Sequence, residues 1–231
     1  MLVEPGISDK FLWPWVARGS LPGTTRMTID RPSHWNQRYA KIGYRNVSWY
    51  SPEPRTSLAL IRRTGASAST SIVDVGAGAS LLVDRLVELG HTDVTLVDVS
   101  QVALEQATDR LQDGAAAVTV VDVLEWEPDR QWDLWHERAM FHFVNTDEDI
   151  ELYRQLVARA VVPGGHAVIG TFSEEGPLTC SGLPVARYSL ERLAEVFAPE
   201  FEHVWSEHET HITPDGNAQE FSWVVLRRRT D

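Results

Sequence analysis

Ser71-Ile72-Val73-Asp74-Val75-Gly76-Ala77-Gly78-Ala79-Ser80 is the stretch on which the reading of this chain turns. Ile72, Val73 and Val75 are β-branched, the composition of a strand covered on both faces. Gly76 and Gly78 then let the backbone bend sharply and approach a ligand closely. Leu82, Leu86 and Leu89 follow at helical spacing, which predicts a helix beginning near Ala79 or Ser80. The order is strand, glycine turn, helix, the opening of a nucleotide-type binding unit.

A dinucleotide fingerprint would place a third glycine at position 81, which is Leu81. Two glycines alone are a weak signal. They gain weight from Val94-Thr95-Leu96-Val97-Asp98-Val99, a second apolar strand ending in an acid about twenty residues beyond the turn, the spacing that reaches a ribose hydroxyl pair. A third strand, Ala117 to Val121, runs into Asp122. Asp74, Asp98 and Asp122 would then stand along one carboxyl edge of a parallel sheet, where ligands bind.

These motifs, VDVGAGAS, LVDVS and VVDVLEW, are followed in order by WDLWHERAMFHF and VPGGHAVIGTF. The series, over roughly residues 35 to 228, resembles the class I S-adenosylmethionine-dependent methyltransferases. The resemblance implies an α/β, Rossmann-like, mostly parallel seven-stranded sheet with helices on both faces and a C-terminal antiparallel β-hairpin. It also implies S-adenosyl-L-methionine as methyl donor, bound over the glycine turn. Gly76, Ala77 and Gly78 would approach its methionine part and Asp74 would orient its ammonium. Asp98, with Val99, would take the ribose hydroxyls; Asp122 and the Val123 amide would take the adenine edge.

Composition sets outer bounds. The 231 residues suit one large α/β domain, and 43% hydrophobic with 23% charged residues is ordinary for a globular protein. A net charge of −12 argues against a dedicated nucleic-acid binder. Arg62-Arg63 and Arg227-Arg228-Arg229 are short runs that read as solvated element ends. The single cysteine, Cys180, excludes an internal disulfide and a cysteine-built zinc site. No long apolar run suggests a membrane span, and the first thirty residues lack the pattern of a signal peptide, so a cytoplasmic location is expected.

Residues 1–32 are rich in Pro, Gly and Thr without periodicity and read as a tail or a lid; residues 33–231 read as the methyltransferase domain. Ser33 is placed to cap a short helix presenting Trp35 and Tyr39 on one face. Trp35 and Trp49 are expected to cover the donor, and Tyr39 to line the acceptor pocket. Helices are predicted over 57–63 and 100–111, and through Ile150, Tyr153, Val157 and Ala160. Strands are predicted over 131–135 and 167–172, the latter after a Pro163-Gly164-Gly165 turn. The irregular loop 173–188 is too long to be incidental and reads as a pocket wall. A helix through Leu190 and Phe197 and a hairpin turning at Pro214-Asp215-Gly216-Asn217 close the chain.

The segment from Asp133 to Phe143 is similar to the Trp-Asp-Arg-Gly-Ala segment of the thiopurine methyltransferases, with His136, Glu137, Arg138 and Ala139 in place of Trp, Asp, Arg and Gly. That similarity implies that Arg138 faces the acceptor and holds a polar or negative group. His136 would also neighbour the donor. Methyl transfer is a displacement at an activated carbon, so alignment matters most. A hydroxyl or amine acceptor needs a base, for which His136, Glu137 and His142 are the candidates. Phe172, Cys180 and Tyr188 are taken as acceptor-pocket lining. His208 and His211, three apart on a strand, point to opposite faces and make no metal site.

The favoured expectation is therefore methyl transfer to a small molecule, with a preference for a thiol sulfur, by a monomer or homodimer with neither nucleic-acid nor membrane partners. The alternatives are a protein-lysine methyltransferase on the same fold and a non-catalytic donor-binding scaffold.

Overall fold

The computed structural model describes residues 29–230. The chain runs through α1 (Arg31–Ile42), α2 (Arg55–Arg63), β1 (Ile72–Val75), α3 (Leu82–Glu88), β2 (Val94–Asp98), α4 (Gln101–Thr108) and β3 (Ala117–Val120). It continues through β4 (Trp132–Arg138), α5 (Asp147–Ala160), β5 (Val161–Phe172), the two-residue strands β6 (Thr179–Cys180) and β7 (Leu183–Pro184), α6 (Leu190–Phe197), β8 (Phe201–Ile212) and β9 (Ala218–Arg228).

Seven strands form one sheet in the order β3-β2-β1-β4-β5-β9-β8. The first five are parallel, and β9 is antiparallel to both β5 and β8. The order reverses beside β1, between β1 and β4, where an open parallel sheet leaves a crevice at its carboxyl edge. This is the predicted Rossmann-like sheet with its reversed hairpin.

The strands are apolar on both sides because both faces are covered. Ile72, Leu96 and Leu134 pack with Ile61 of α2, Leu82 and Leu86 of α3 and Leu104 of α4. Val73, Val97 and Trp135 pack on the opposite face with Tyr153 and Val157 of α5 and with Leu193 and Phe197 of α6. The crossover from β3 to β4 carries only a single 3-10 turn, Val123–Glu125. There Trp126 fills the space that a helix would cover, its ring 5.6 Å from Trp132 and 6.1 Å from Trp135. That use of bulk explains part of the high tryptophan content.

Several local expectations are corrected. α1 is capped by Asp30, which accepts from the Ser33 amide (3.1 Å) and hydroxyl (2.6 Å), so Ser33 lies inside the first turn. α3 starts at Leu82 instead of Ala79 or Ser80, because the backbone after Gly78 is still turning, and Leu89 falls past its end, 55% exposed. β4 extends to Arg138, three residues beyond the predicted end, so His136 and Glu137 are strand residues, not loop residues. The Pro163-Gly164-Gly165 turn interrupts β5 internally: its partner on β4 shifts from Trp132↔Val161 to Leu134↔His166. Within loop 173–188 a small ribbon pairs Cys180 with Leu183. Residues 1–28, most of the predicted tail or lid, lie outside the described residues. Among the described residues no helix is long and apolar enough to cross a membrane.

Candidate active site

The carboxyl ends of β1, β2, β3 and β4 surround a cavity of about 1150 Å³. Its floor is the glycine turn. Gly76 (φ +64°) and Gly78 (φ +54°) both lie in the left-handed region that side chains avoid. A Cβ on Gly76 would stand 2.6 Å from Met140 Cβ, and one on Gly78 would overlap the Tyr39 hydroxyl. Both glycines thus accommodate close neighbours as well as a turn.

The acids at the strand ends are held in place. Asp98 accepts from the Gly78 amide (2.8 Å) and the Ser100 amide (2.7 Å), and burial pushes its pKa up to about 6 against the pull of those two amides. Asp122 accepts from the Leu124 amide (3.1 Å) and pairs with Arg31, whose Nη1 is 3.0 Å from Oδ2. Asp98, Val99, Asp122 and Val123 all line the cavity.

Helix α1 lies across this edge and touches each of three strand-end loops. Arg31 reaches Asp122 after β3. Asn36 accepts from the Ser100 hydroxyl (2.9 Å) and the Val102 amide (3.2 Å) after β2. Tyr39 sits over Gly78 after β1 and accepts from Trp49 Nε1 at 3.1 Å. Trp35, Tyr39 and Trp49, with Phe143, form an aromatic wall: the Trp35 ring centroid is 5.8 Å from that of Trp49 and 5.3 Å from that of Phe143, both edge to face. The ribbon adds Cys180, Leu183 and Pro184 opposite. Burial raises the Cys180 thiol to about 11, so it stays protonated near neutrality.

Arg138 closes the wall beneath the aromatics. Its Nη1 donates to the Trp49 carbonyl (2.9 Å), its Nε is 4.0 Å from Glu209, and its guanidinium lies over the Phe221 ring at 4.6 Å. Arg138, Tyr39, Trp49 and Gly76 also border a second, adjoining cavity of about 540 Å³. Asp74, Ala77 and His136 line that second cavity and not the first. His136 is buried in a chain of hydrogen bonds, Nδ1 to Asp74 (2.7 Å) and Nε2 to the Ser57 hydroxyl (3.0 Å). Gly78 contributes its amide to Asp98 and lines neither cavity.

Four residues expected in the site are placed behind it. Glu137 and His142 are fully buried, and burial moves their pKa values in opposite directions, Glu137 up to about 8 and His142 down to about 3. Alternation along β4 turns Glu137 to the face opposite His136 and Arg138, toward α5. His142 is stacked on Phe172 at 4.5 Å, and Phe172 belongs to the core beneath β5 and β9. Tyr188 packs on Phe141 at 5.2 Å. Cavity residues that sequence reasoning missed include Ile29, Arg31, Met140, Asn145 and Asp149. Arg31 and Ile29 had no periodic pattern to mark them; Asn145 and Asp149 follow β4 and were legible only as turn and helix-start residues.

Residues 72–165 match the family model described as a methyltransferase domain. Comparison with curated proteins finds no match. Solved structures of similar fold include one described as the conversion of a disulfide bond into a thioacetal group during echinomycin biosynthesis, with a TM-score of 0.69, 21% identity, and coverage of 87% of this chain and 94% of that one. Another is the N-methyltransferase NodS from Bradyrhizobium japonicum in complex with S-adenosyl-L-homocysteine (TM-score 0.64, 16% identity, 84% and 98% covered). A third is the 1,6-didemethyltoxoflavin-N1-methyltransferase of Burkholderia thailandensis with bound 1,6-didemethyltoxoflavin and S-adenosylhomocysteine (TM-score 0.62, 19% identity, 76% and 77% covered). The methyltransferase-domain match spans fewer than half of the residues, and these solved structures, none more than 21% identical, share the fold: a Rossmann-like sheet of the kind seen in methyltransferases.

Proposed function

We propose that this protein moves a methyl group from S-adenosyl-L-methionine to a small-molecule acceptor, and that the acceptor atom is a sulfur. The observation that carries the reading is a cavity that joins two unlike halves: the strand-end acids Asp98 and Asp122 on one side, an aromatic wall with Arg138 on the other. The donor supplies a methyl group already activated on sulfonium sulfur. The chain's own residues hold, orient and shield.

The residues present fit the donor. Gly76 leaves backbone bare at the turn, Asp98 lines the cavity with its carboxylate fixed by two amides, and Asp122 and Val123 stand one strand further along. Asp98 would hold the ribose hydroxyls, Asp122 and Val123 the adenine edge, and Asp74 the ammonium from the adjoining cavity. Trp35, Tyr39, Trp49, Arg138 and Cys180 would enclose the acceptor.

The preference for sulfur rests on the lining. No histidine is among the described residues that border the main cavity, and of the two arginines there Arg31 is tied to Asp122 while Arg138 stands in the aromatic wall. A thiolate needs no strong base and is stabilised by a guanidinium, whereas a lysine ammonium would be repelled by it. The neighbour whose description concerns disulfide chemistry is in keeping with this choice.

Calorimetric titration of S-adenosylhomocysteine into wild type and Asp98→Ala tests the donor site: binding that is lost in the variant is expected. Methyl-labelled donor offered with panels of small thiols, amines and alcohols then tests the acceptor. Transfer confined to amines or alcohols would overturn the sulfur assignment, and no binding of S-adenosylhomocysteine to wild type would overturn the donor site.

A further inference from the structure

We infer that Glu137 is a positioning residue: its buried carboxyl group holds the Ala139–Phe141 turn, and through it Met140, against the donor cavity. The inference rests on the donor reading of that cavity for its consequence, but not for its mechanics.

The geometry begins with an unfavourable turn. Ala139 lies at φ +63°, a left-handed conformation unfavourable for a residue with a Cβ. Something must hold it. From one side the Ala139 amide donates to the Gly170 carbonyl at 2.8 Å. From below, Glu137 Oε2 accepts from both the Met140 amide (3.2 Å) and the Phe141 amide (2.9 Å). The turn so fixed places Ala139 and Met140 in the cavity wall and sets Met140 directly on Gly76. Glu137 itself is fully buried and does not border the cavity, so it does not touch a ligand.

The second oxygen is the unusual part. Glu137 Oε1 has no hydrogen-bond partner among the described residues. The two amides require Oε2 to be an acceptor, so a proton on the carboxyl group belongs on Oε1. On its own face of the sheet the titratable groups near it are Tyr153 from α5 and Tyr188 from the segment before α6, and Asp74 of β1 acts on it from the opposite face. None of them is a cation, and burial, reinforced by Asp74, keeps Glu137 neutral up to about pH 8 against the two amides. Above that pH the carboxylate keeps only the two amides and has no cation beside it, so desolvation outweighs them and the cost is relieved by letting the turn open toward water.

The test uses Met140, one of only three methionines in the chain, as a reporter of the turn. The ε-methyl resonance of Met140 is followed by NMR from pH 6.5 to 9.5 in the ligand-free wild type, Glu137→Gln and Glu137→Leu. Gln keeps an oxygen for the two amides and cannot ionise. The expected result is a Met140 titration near pH 8 in wild type that is absent in Glu137→Gln. In parallel, S-adenosylhomocysteine affinity should fall several-fold across that range in wild type, stay level and within about twofold of the neutral wild-type value in Glu137→Gln, and be weaker at every pH in Glu137→Leu. A Met140 resonance indifferent to pH in wild type, or titrating equally in Glu137→Gln, overturns the inference. Loss of methyl transfer in Glu137→Gln with donor affinity intact would also overturn it, by making Glu137 a base. A Met140 titration without any donor binding would leave the turn mechanics standing and remove the donor reading instead.

Discussion

Arg31 Nη1 lies 3.0 Å from Asp122 Oδ2 and 3.2 Å from Oδ1, so the first turn of α1 is pinned to the loop after β3, over the carboxylate expected to meet the donor's base. The two side chains remain a quarter and a fifth exposed, which places the pair between a surface bridge and a buried one. Its net worth is therefore about 1 kcal/mol, or roughly a fivefold effect on an equilibrium.

Arg31→Gln should accordingly speed release of S-adenosylhomocysteine by several-fold while leaving the fold intact. Stopped-flow displacement read through Trp35 and Trp49, both in the cavity wall, measures this directly. Raising the salt concentration should accelerate release from wild type and have less effect on the variant.

Gly78→Ala meets two obstacles at once. Its φ of +54° strains any residue with a Cβ, and the new methyl group overlaps the Tyr39 hydroxyl that accepts from Trp49. A loss of about 2 kcal/mol in stability is expected from strain alone. Displacing Tyr39 would also unseat α1, so donor affinity should fall further than the denaturation midpoint suggests. Urea titration beside calorimetry separates the two effects.

His136→Ala removes the partner of a nearly buried carboxylate. Asp74 is 3% exposed, and the Ser57 hydroxyl at the other end of the chain would lose its partner too. Destabilisation of about 3 kcal/mol is expected by chemical denaturation. His136→Asn, which can still donate toward Asp74, should recover part of it.

Stability should peak in mildly acidic solution. Glu137 binds its proton more tightly folded than unfolded, so its burial costs nothing below about pH 4.5 and the cost grows until about pH 8. His142 binds a proton less tightly folded, so stability is lost as pH falls from 6.5 toward 3. Taken alone these two groups place the highest thermal midpoints between about pH 4.5 and 6.5, and Asp98, raised by burial to about 6, adds a loss as pH climbs toward that value that shifts the maximum to the acid end of the window. Glu137→Gln should flatten the upper limb and His142→Phe the lower one, each by an amount on the order of a few kcal/mol.

Much of this was legible in one dimension because strand and turn chemistry are local. The apolar runs ending in Asp98 and Asp122 could hardly be anything but strands delivering acids to one edge, and the structure puts both acids in the cavity. The acids after β1 and in β4 were harder. Asp74 sits on the far side of the turn with His136, and the extra length of β4 converts three presumed loop residues into strand residues whose faces alternate. His142 and Glu137 look reactive as letters; in place they are fully buried.

The sequence by itself determined the β-branched runs, the glycine turn, the helix stripes and the C-terminal hairpin, since each depends on neighbours within a few residues and on patterns of period two or 3.6. Only the tertiary structure decided which of the polar residues share a cavity. Arg31 meets Asp122 across ninety-one positions and His136 meets Ser57 across seventy-nine. Such pairings depend on how helix α1 and helix α2 lie on the sheet, a matter of shape and burial that no local spacing records.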